Sequence, residues 1–336
     1  MTSGHTEALF EVDKNLRSLA YLAPVAAMPL LCLAPSLARK LAVCLPLAAI
    51  CAGVVAIYQK LGLDIERAHG GTHPILFADM TLMLVALSWG TRAFWPLTGK
   101  LKNLLLIAST LLGIIAIVFS GSRGSWIALP VLGLIALHHQ WRGQPKRFTL
   151  AVVIMIAVTP TLYLVPQVKQ RVDVAVTQAS DFYAGKDFGS SVAARLNVWH
   201  ITAQQMLPKA PWTGFGYQGF KPELKAMAKS GEINRRFNWI SHPHNEVLHL
   251  WVEQGLVGLS LMLSIWVLAY RSIVRTARQN EHADSVILSL RFLVGGLAVY
   301  GLTDTMTGNL ITHTFFAGML VWISRMAIDA EGKPNR

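Results

Sequence analysis

Apolar residues in this chain come in blocks, not in the 3.6-residue or 2-residue alternation of an amphipathic helix or a half-buried strand. Blocks near 20 residues match the hydrocarbon thickness of a bilayer. Backbone groups there must be satisfied internally, as they are in helices. Nine segments are read, at about 18–37, 41–59, 73–90, 102–120, 125–139, 148–166, 255–272, 286–303 and 309–328. Composition agrees: 53% of the 336 residues are apolar and 14% charged, where a soluble domain carries about 25% charged. The expected class is an all-α polytopic integral membrane protein. Its expected organisation is membrane helices over 1–166, one large hydrophilic loop over 167–241, and further helices with a short tail over 242–336.

The formal charge of +12 would raise nucleic acid as a partner of a soluble protein. Here the cations follow topology instead. With 167–241 placed outside, the alternate short loops hold Arg39-Lys40, then Arg92, Lys100 and Lys102, then Arg142, Lys146 and Arg147, then Arg271, Arg275 and Arg278. The opposite loops hold few, among them Lys60, Arg67 and Arg123. This is the positive-inside pattern, from which long loops are exempt. It makes the large loop extracytoplasmic, membrane lipid the surroundings, and nucleic acid no partner. Nine helices with a cytoplasmic tail put the N-terminus outside, and residues 1–17 hold no signal peptide. The expectation is that helices precede this sequence. Cys32, Cys44 and Cys51 lack metal spacing and read as apolar packing residues.

The large loop has the composition of a folded segment. Val168, Val172, Ala175 and Ala179 recur at helical spacing, and Val192, Leu196, Trp199 and Met206 form a second stripe. Ser190 or Ser191 suits an N-cap, and Pro208 and Pro211 stop the second helix. Both helices are expected over the outer face, with Trp199, Trp212 and Trp239 at the interface. Gly214-Phe-Gly216-Tyr217-Gln-Gly219 has the letters of a dinucleotide fingerprint, but no strand precedes it. It reads as a tight turn. His244, Glu246 and His249 lack the helical spacing of a zinc pair, so no metal and no cofactor is expected.

Three places carry chemistry. Ser120-Gly-Ser-Arg123-Gly-Ser-Trp126 joins two segments on the outer side, where Gly121 and Gly124 admit a ligand to the backbone and the next helix N-terminus favours an anion. A snorkelling arginine is the plain alternative. Arg195 flanks the stripe of the second loop helix, and a solvated face is its plain alternative. His242, His244, Asn245 and Glu253 cluster where the loop re-enters the membrane, at the level of Arg123. Asp79 and Arg291 fall inside membrane segments, where charges are functional candidates by default.

Taken in order, Ser-Gly-Ser-Arg123-Gly-Ser-Trp, Arg195-x-x-x-Trp199, Pro211-x-x-Gly214-x-Gly216 and His244-Asn245 with ten residues to Gly255 resemble the O-antigen ligase and polymerase superfamily over about residues 105–325. The resemblance implies a metal-independent GT-C-like glycosyltransferase of the bacterial inner membrane with a periplasmic active site. The implied donor is an undecaprenyl-diphosphate-linked glycan and the implied acceptor lipid A–core. Arg123 and Arg195 would hold the diphosphate. His244 would be the catalytic base, kept neutral by nearby cations, with His242, Asn245, Gly216 and Tyr217 in support. An O-antigen polymerase shares the donor chemistry. A transporter would instead show inverted repeats and broken helices at mid-membrane, and no repeat is present. A structural membrane protein with a folded loop is the plainest alternative.

Overall fold

A computed structural model describes residues 28–164, 166–186 and 189–328. Every regular element among the described residues is helical: α1 Pro35–Gly62, α2 Pro74–Thr91, α3 Gly99–Ser120, α4 Arg123–Gln140, α5 Pro145–Val158, α6 Pro166–Tyr183, α7 Ser191–Ile201, α8 Phe220–Ser230, α9 Glu246–Ala277, α10 Ala283–Gly301 and α11 Leu310–Met326. The expected all-α polytopic class is borne out. Five helices, α1, α2, α3, α9 and α10, are long and apolar enough to cross a membrane, and α11 is a shorter apolar helix. The segment expected at 18–37 lies largely outside the described residues. The one at 125–139 falls within α4, which an arginine opens and His138 and His139 close. The one at 148–166 is interrupted. α5 ends at Val158 and a 3₁₀ turn, Thr159–Leu164, continues around Pro160, whose ring removes a helix donor.

The chain forms two compact units. The first takes the described parts of 1–139, 270–297 and 306–336. Its helices α1, α2 and α3 pack on one another through small residues. A Cβ on Gly53 would come within 2.5 Å of the Leu112 side chain, and one on Gly113 within 2.3 Å of Val85. Backbones approach this closely in membrane bundles because dispersion contacts, not water exclusion, hold the helices. Leu82, Met83 and Leu87 of α2 are buried, whereas Leu104, Ile107 and Leu111 of α3 are more than half exposed, a face suited to lipid. At the far end of α11, Arg39 donates to the Met326 and Ile328 carbonyls. It thereby satisfies acceptors that a helix terminus leaves open.

The second unit takes Gln140–Ala269 and Ala298–Thr305. The Ser190 hydroxyl accepts the Ala193 N–H and caps α7, as its sequence position implied. The helix then loosens into a π turn, Thr202–Met206, before Pro208. Its deepest face is Ala193, Ala194, Val198 and Ile201, not the expected stripe, of which Val192, Leu196 and Trp199 are half-buried and only Met206 is fully enclosed. The reason is packing: α7 shares its core with a further helix, α8, whose Phe220, Leu224 and Met227 join Val198, Met206, Ile240 and Val252. Small alanines let the backbones approach.

α9 is broken at Gly255, which adopts φ 67°, ψ −178°, a region essentially restricted to glycine. The break frees backbone groups, and the Pro211–Gly216 turn takes them. Phe215 and Gly216 N–H donate to the Val252 and Glu253 carbonyls, both at 2.9 Å, while Leu256 and Val257 N–H donate to Pro211 and Trp212 oxygens. A Cβ on Gly255 would meet Trp212 O at 2.1 Å, and one on Gly214 would meet Glu253 C at 2.5 Å. The glycine motif is thus a clasp on the broken helix, a role consistent with the tight turn expected of it.

Candidate active site

His244 occupies a strained position, with φ 53° in the left-handed region. Such conformations cost of order 1–3 kcal/mol and persist where the surroundings over-determine them. Two features fix this one. Trp199 Nε1, one turn along α7 from Arg195, donates to Pro243 O at 2.9 Å. On the other side, Asn245 Oδ1 accepts the Leu248 N–H at 3.1 Å and its Nδ2 donates to Leu302 O. Asn245 is therefore the cap that starts α9 and ties it to the end of α10. The Arg195-x-x-x-Trp199 spacing places both the anion-binding candidate and the histidine turn's anchor on one helix.

The turn assembles a polar cluster. The His242 and His244 rings lie 4.0 Å apart between centroids. Asp304, from the segment after α10, brings Oδ1 to 3.4 Å from His244 Nδ1 and 3.8 Å from His242 Nδ1. Thr305 Oγ1 is 3.3 Å from His242 Nδ1. The carboxylate side chain is 13% exposed and the His244 ring 25%, so the cluster is sheltered but reachable. Asp304 was not among the expected site residues. It stands alone in the sequence some 60 residues past His244, with no spacing to betray it. The charged group beside the His244 ring is this carboxylate.

Electrostatics sharpen these assignments. Burial pushes His242 down from 6.5 to about 4, helped by the charges of His244, His249 and Arg195 and opposed by Asp304. Burial alone would raise Asp304, but hydrogen bonding to His244, the charge of His242 and the Thr305 N–H outweigh it and hold the carboxyl below its usual value. Arg195 is lowered by desolvation and pulled back up by Asp304. Its Nη1 donates to Ser191 Oγ at 2.9 Å, while its Nε is buried with no hydrogen-bond partner. A buried guanidinium donor left unpaired is costly and suits a site that awaits an anion.

Arg123 belongs to the first unit. It is the first residue of α4, two residues after Gly121 caps the end of α3 with φ 61°. Below it, buried Asp79 of α2 accepts from Ser125 Oγ at 2.5 Å, and Ser122 Oγ lies 3.1 Å from Ser125 Oγ. Arg67 Nε donates to Ser120 O at 2.7 Å. The intramembrane Asp79 thus supports the turn that presents Arg123. Of the remaining expected residues, Gly216 serves the clasp on α9, and Tyr217, 47% exposed, has its hydroxyl 3.2 Å from Gln218 Nε2. His242, His244 and Asp304 also offer ligand atoms within 4.8 Å of one another, a set able to hold a metal ion. The spacing argument against metal considered His244, Glu246 and His249, and the fold gathers different donors.

Known proteins resemble this chain over the same stretch. The O-antigen ligase family matches residues 108–263, a stretch holding Arg123, Arg195, the 211–216 clasp and His244. An uncharacterised Haemophilus influenzae protein is 25% identical over 94% of this chain and 80% of its own length. A Rickettsia conorii protein named "Putative polysaccharide ligase" is 25% identical over 61% of this chain and 47% of its own. The O-antigen ligase of Escherichia coli is 21% identical over 74% of this chain and 57% of its own. The chain thus spans only about half the length of the two ligases. The superfamily to which the ordered motifs pointed is the one these matches return: this chain is similar to the O-antigen ligases.

Proposed function

We propose that this chain transfers a glycan from a polyprenyl diphosphate, undecaprenyl diphosphate in bacteria, to a sugar hydroxyl of lipid A–core on the periplasmic face of the inner membrane. The observation that carries this reading is the convergence of Arg195, His244 and Asp304 in one sheltered cluster, with His244 held at a strained backbone position. Names among the relatives favour ligation over polymerisation.

In this reading the acceptor oxygen attacks the anomeric carbon while the bond from that carbon to the diphosphate oxygen breaks. The hydroxyl proton goes to His244. With Nδ1 directed at Asp304, the proton-accepting atom is Nε2, and Asp304 stabilises the imidazolium that forms. The diphosphate departs with the bonding pair. Arg195 grips its oxygens through short, often bidentate contacts that strengthen as charge develops, and the ordered motifs give Arg123 the same expected role. His242, neutral over the physiological range, adds no competing charge. No step requires a metal.

Single-turnover transfer measured beside donor binding tests the assignment. His244→Ala should still bind the lipid-diphosphate donor and transfer at least roughly 10²-fold more slowly, the low end for a lost general base. His242→Ala should be milder. EDTA should leave wild-type transfer unchanged. Loss of donor binding would move His244 to the diphosphate site, and EDTA-sensitive transfer would make His242, His244 and Asp304 a metal centre.

A further inference from the structure

α8 carries Lys221, Lys225 and Lys229 at intervals of four, a stripe about 12 Å long on one face of the helix. The opposite face, Phe220, Leu224, Met227 and Ala228, is buried. Lys225 and Lys229 are exposed and Lys221 half-exposed, and exposed Arg235 follows the helix. Like charges at this interval destabilise a helix, and nearby acids do not relieve these. Glu223 and Glu232 both pair with Lys209 instead, at 3.3 and 2.7 Å. Among the described residues no carboxylate lies within ion-pair distance of Lys221, Lys225, Lys229 or Arg235. The fold neutralises one cation of this region twice and leaves four without any counter-charge.

Where the stripe sits narrows its partner. α8 packs into the core that includes Val252 of α9. Just beyond the Gly255 break, α9 exposes Val257, Leu261, Ile265 and Leu268, the run that gives it membrane-spanning character. The stripe is therefore carried at the entry of a spanning helix. Trp212 and Trp239 stand exposed on the same unit, at 65% and 61%, as indoles do at a membrane interface. Uncompensated cations on a unit that also exposes indoles match an anionic headgroup layer.

We infer that Lys221, Lys225, Lys229 and Arg235 form a binding face for the phosphate groups of anionic membrane lipids. The face holds the large loop against the bilayer surface, and this needs no assumption about the reaction catalysed. The test uses the purified full chain in detergent, titrated separately with short-chain phosphatidylglycerol, matched phosphatidylcholine, diphosphorylated lipid A and inorganic phosphate, with thermophoresis as readout. Wild type should bind phosphatidylglycerol at least tenfold more tightly than phosphatidylcholine, and less so as salt rises. The triple variant Lys221→Gln, Lys225→Gln, Lys229→Gln should lose roughly 10²-fold in affinity, several-fold per cation. The triple Lys→Arg variant, which keeps the charges, should retain it. Tight binding of lipid A alone would assign the face to a glycolipid and keep its phosphate chemistry. Phosphatidylglycerol binding that survives the glutamine variant, or that phosphatidylcholine equals, would overturn the inference. So would displacement of the lipid by millimolar inorganic phosphate, which would mark a free-phosphate site. An unchanged circular dichroism melt for the glutamine variant excludes misfolding as the cause.

Discussion

His242 makes the cluster's environment measurable by pH. The groups facing it are His244, Asp304, Thr305 and the charges of Arg195 and His249. Burial leads the shift from 6.5 to about 4, so between those values the unfolded chain binds a proton that the folded chain refuses. Stability must then rise with pH across that window and fall as the solution is acidified through it. Asp304 acts elsewhere. Its carboxyl is held below 3.8, so its contribution is complete above that value and is lost only at lower pH. The unfolding midpoint of the detergent-purified chain should therefore drop between pH 6.5 and 4, and His242→Gln, which cannot take the proton, should flatten that drop. Parallel curves for the two proteins would mean that His242 is not the titrating group. At this scale the sequence was informative about residues that carry their own spacing. His244-Asn245 stands at an expected helix start and Arg195-x-x-x-Trp199 on an expected helix, and in the fold they form one turn and its anchor. Asp304 was not legible, since a single acid between two helices looks like any connecting residue until the fold brings it to His244.

Among the elements, α7 was legible because its signals are local: a serine cap, an apolar stripe and prolines beyond its end. α8 has no counterpart among the expected helices, although Phe220, Leu224, Met227 and Ala228 recur at helical spacing; its lysines carry only the plain reading of a solvated helix face. The clasp between Pro211–Gly216 and the break in α9 was out of reach of any window, since its hydrogen bonds join residues some 40 apart. It makes a sharp demand on sequence. Gly255→Ala would force a side chain into a glycine-only backbone region and bring its Cβ to 2.1 Å from Trp212 O. The cost should be at least about 3 kcal/mol. Gly231, which ends α8 at φ 85° with open space around its missing Cβ, should tolerate alanine at about 1–2 kcal/mol, the left-handed penalty alone. Unfolding midpoints of the two variants, measured side by side, check the ranking. Equal losses would show that backbone conformation, not the clasp, sets the penalty at Gly255.

For the molecule as a whole, topology is what the proposed reaction most depends on. The helix order agrees with the alternation implied by charge. α1 leads to Leu63–His73 on one side, α2 leads to Arg92 and Lys100 on the other, and α9 and α10 are joined through Arg278. Counting crossings from α9 puts Asn245 and Asp304 on the same side, and they do fall in one compact unit. α4 and α5, joined by a short basic turn between Gln140 and Pro145, leave this alternation unchanged whether both cross the membrane or neither does. The proposed periplasmic side follows from the excess of lysine and arginine in the second set of loops. Single cysteines at Gly62 and Ala226, in a background with Cys32, Cys44 and Cys51 replaced, should react with an impermeant maleimide added outside intact spheroplasts. Cysteines at Gln144 and Gln279 should react only after permeabilisation. All four positions are exposed, so protection reflects the membrane and not burial. Labelling of Gln144 and Gln279 from outside, with Gly62 and Ala226 protected, would put the His244 cluster in the cytoplasm. A donor displayed on the periplasmic face would then be unreachable, and the proposed transfer would fail with it.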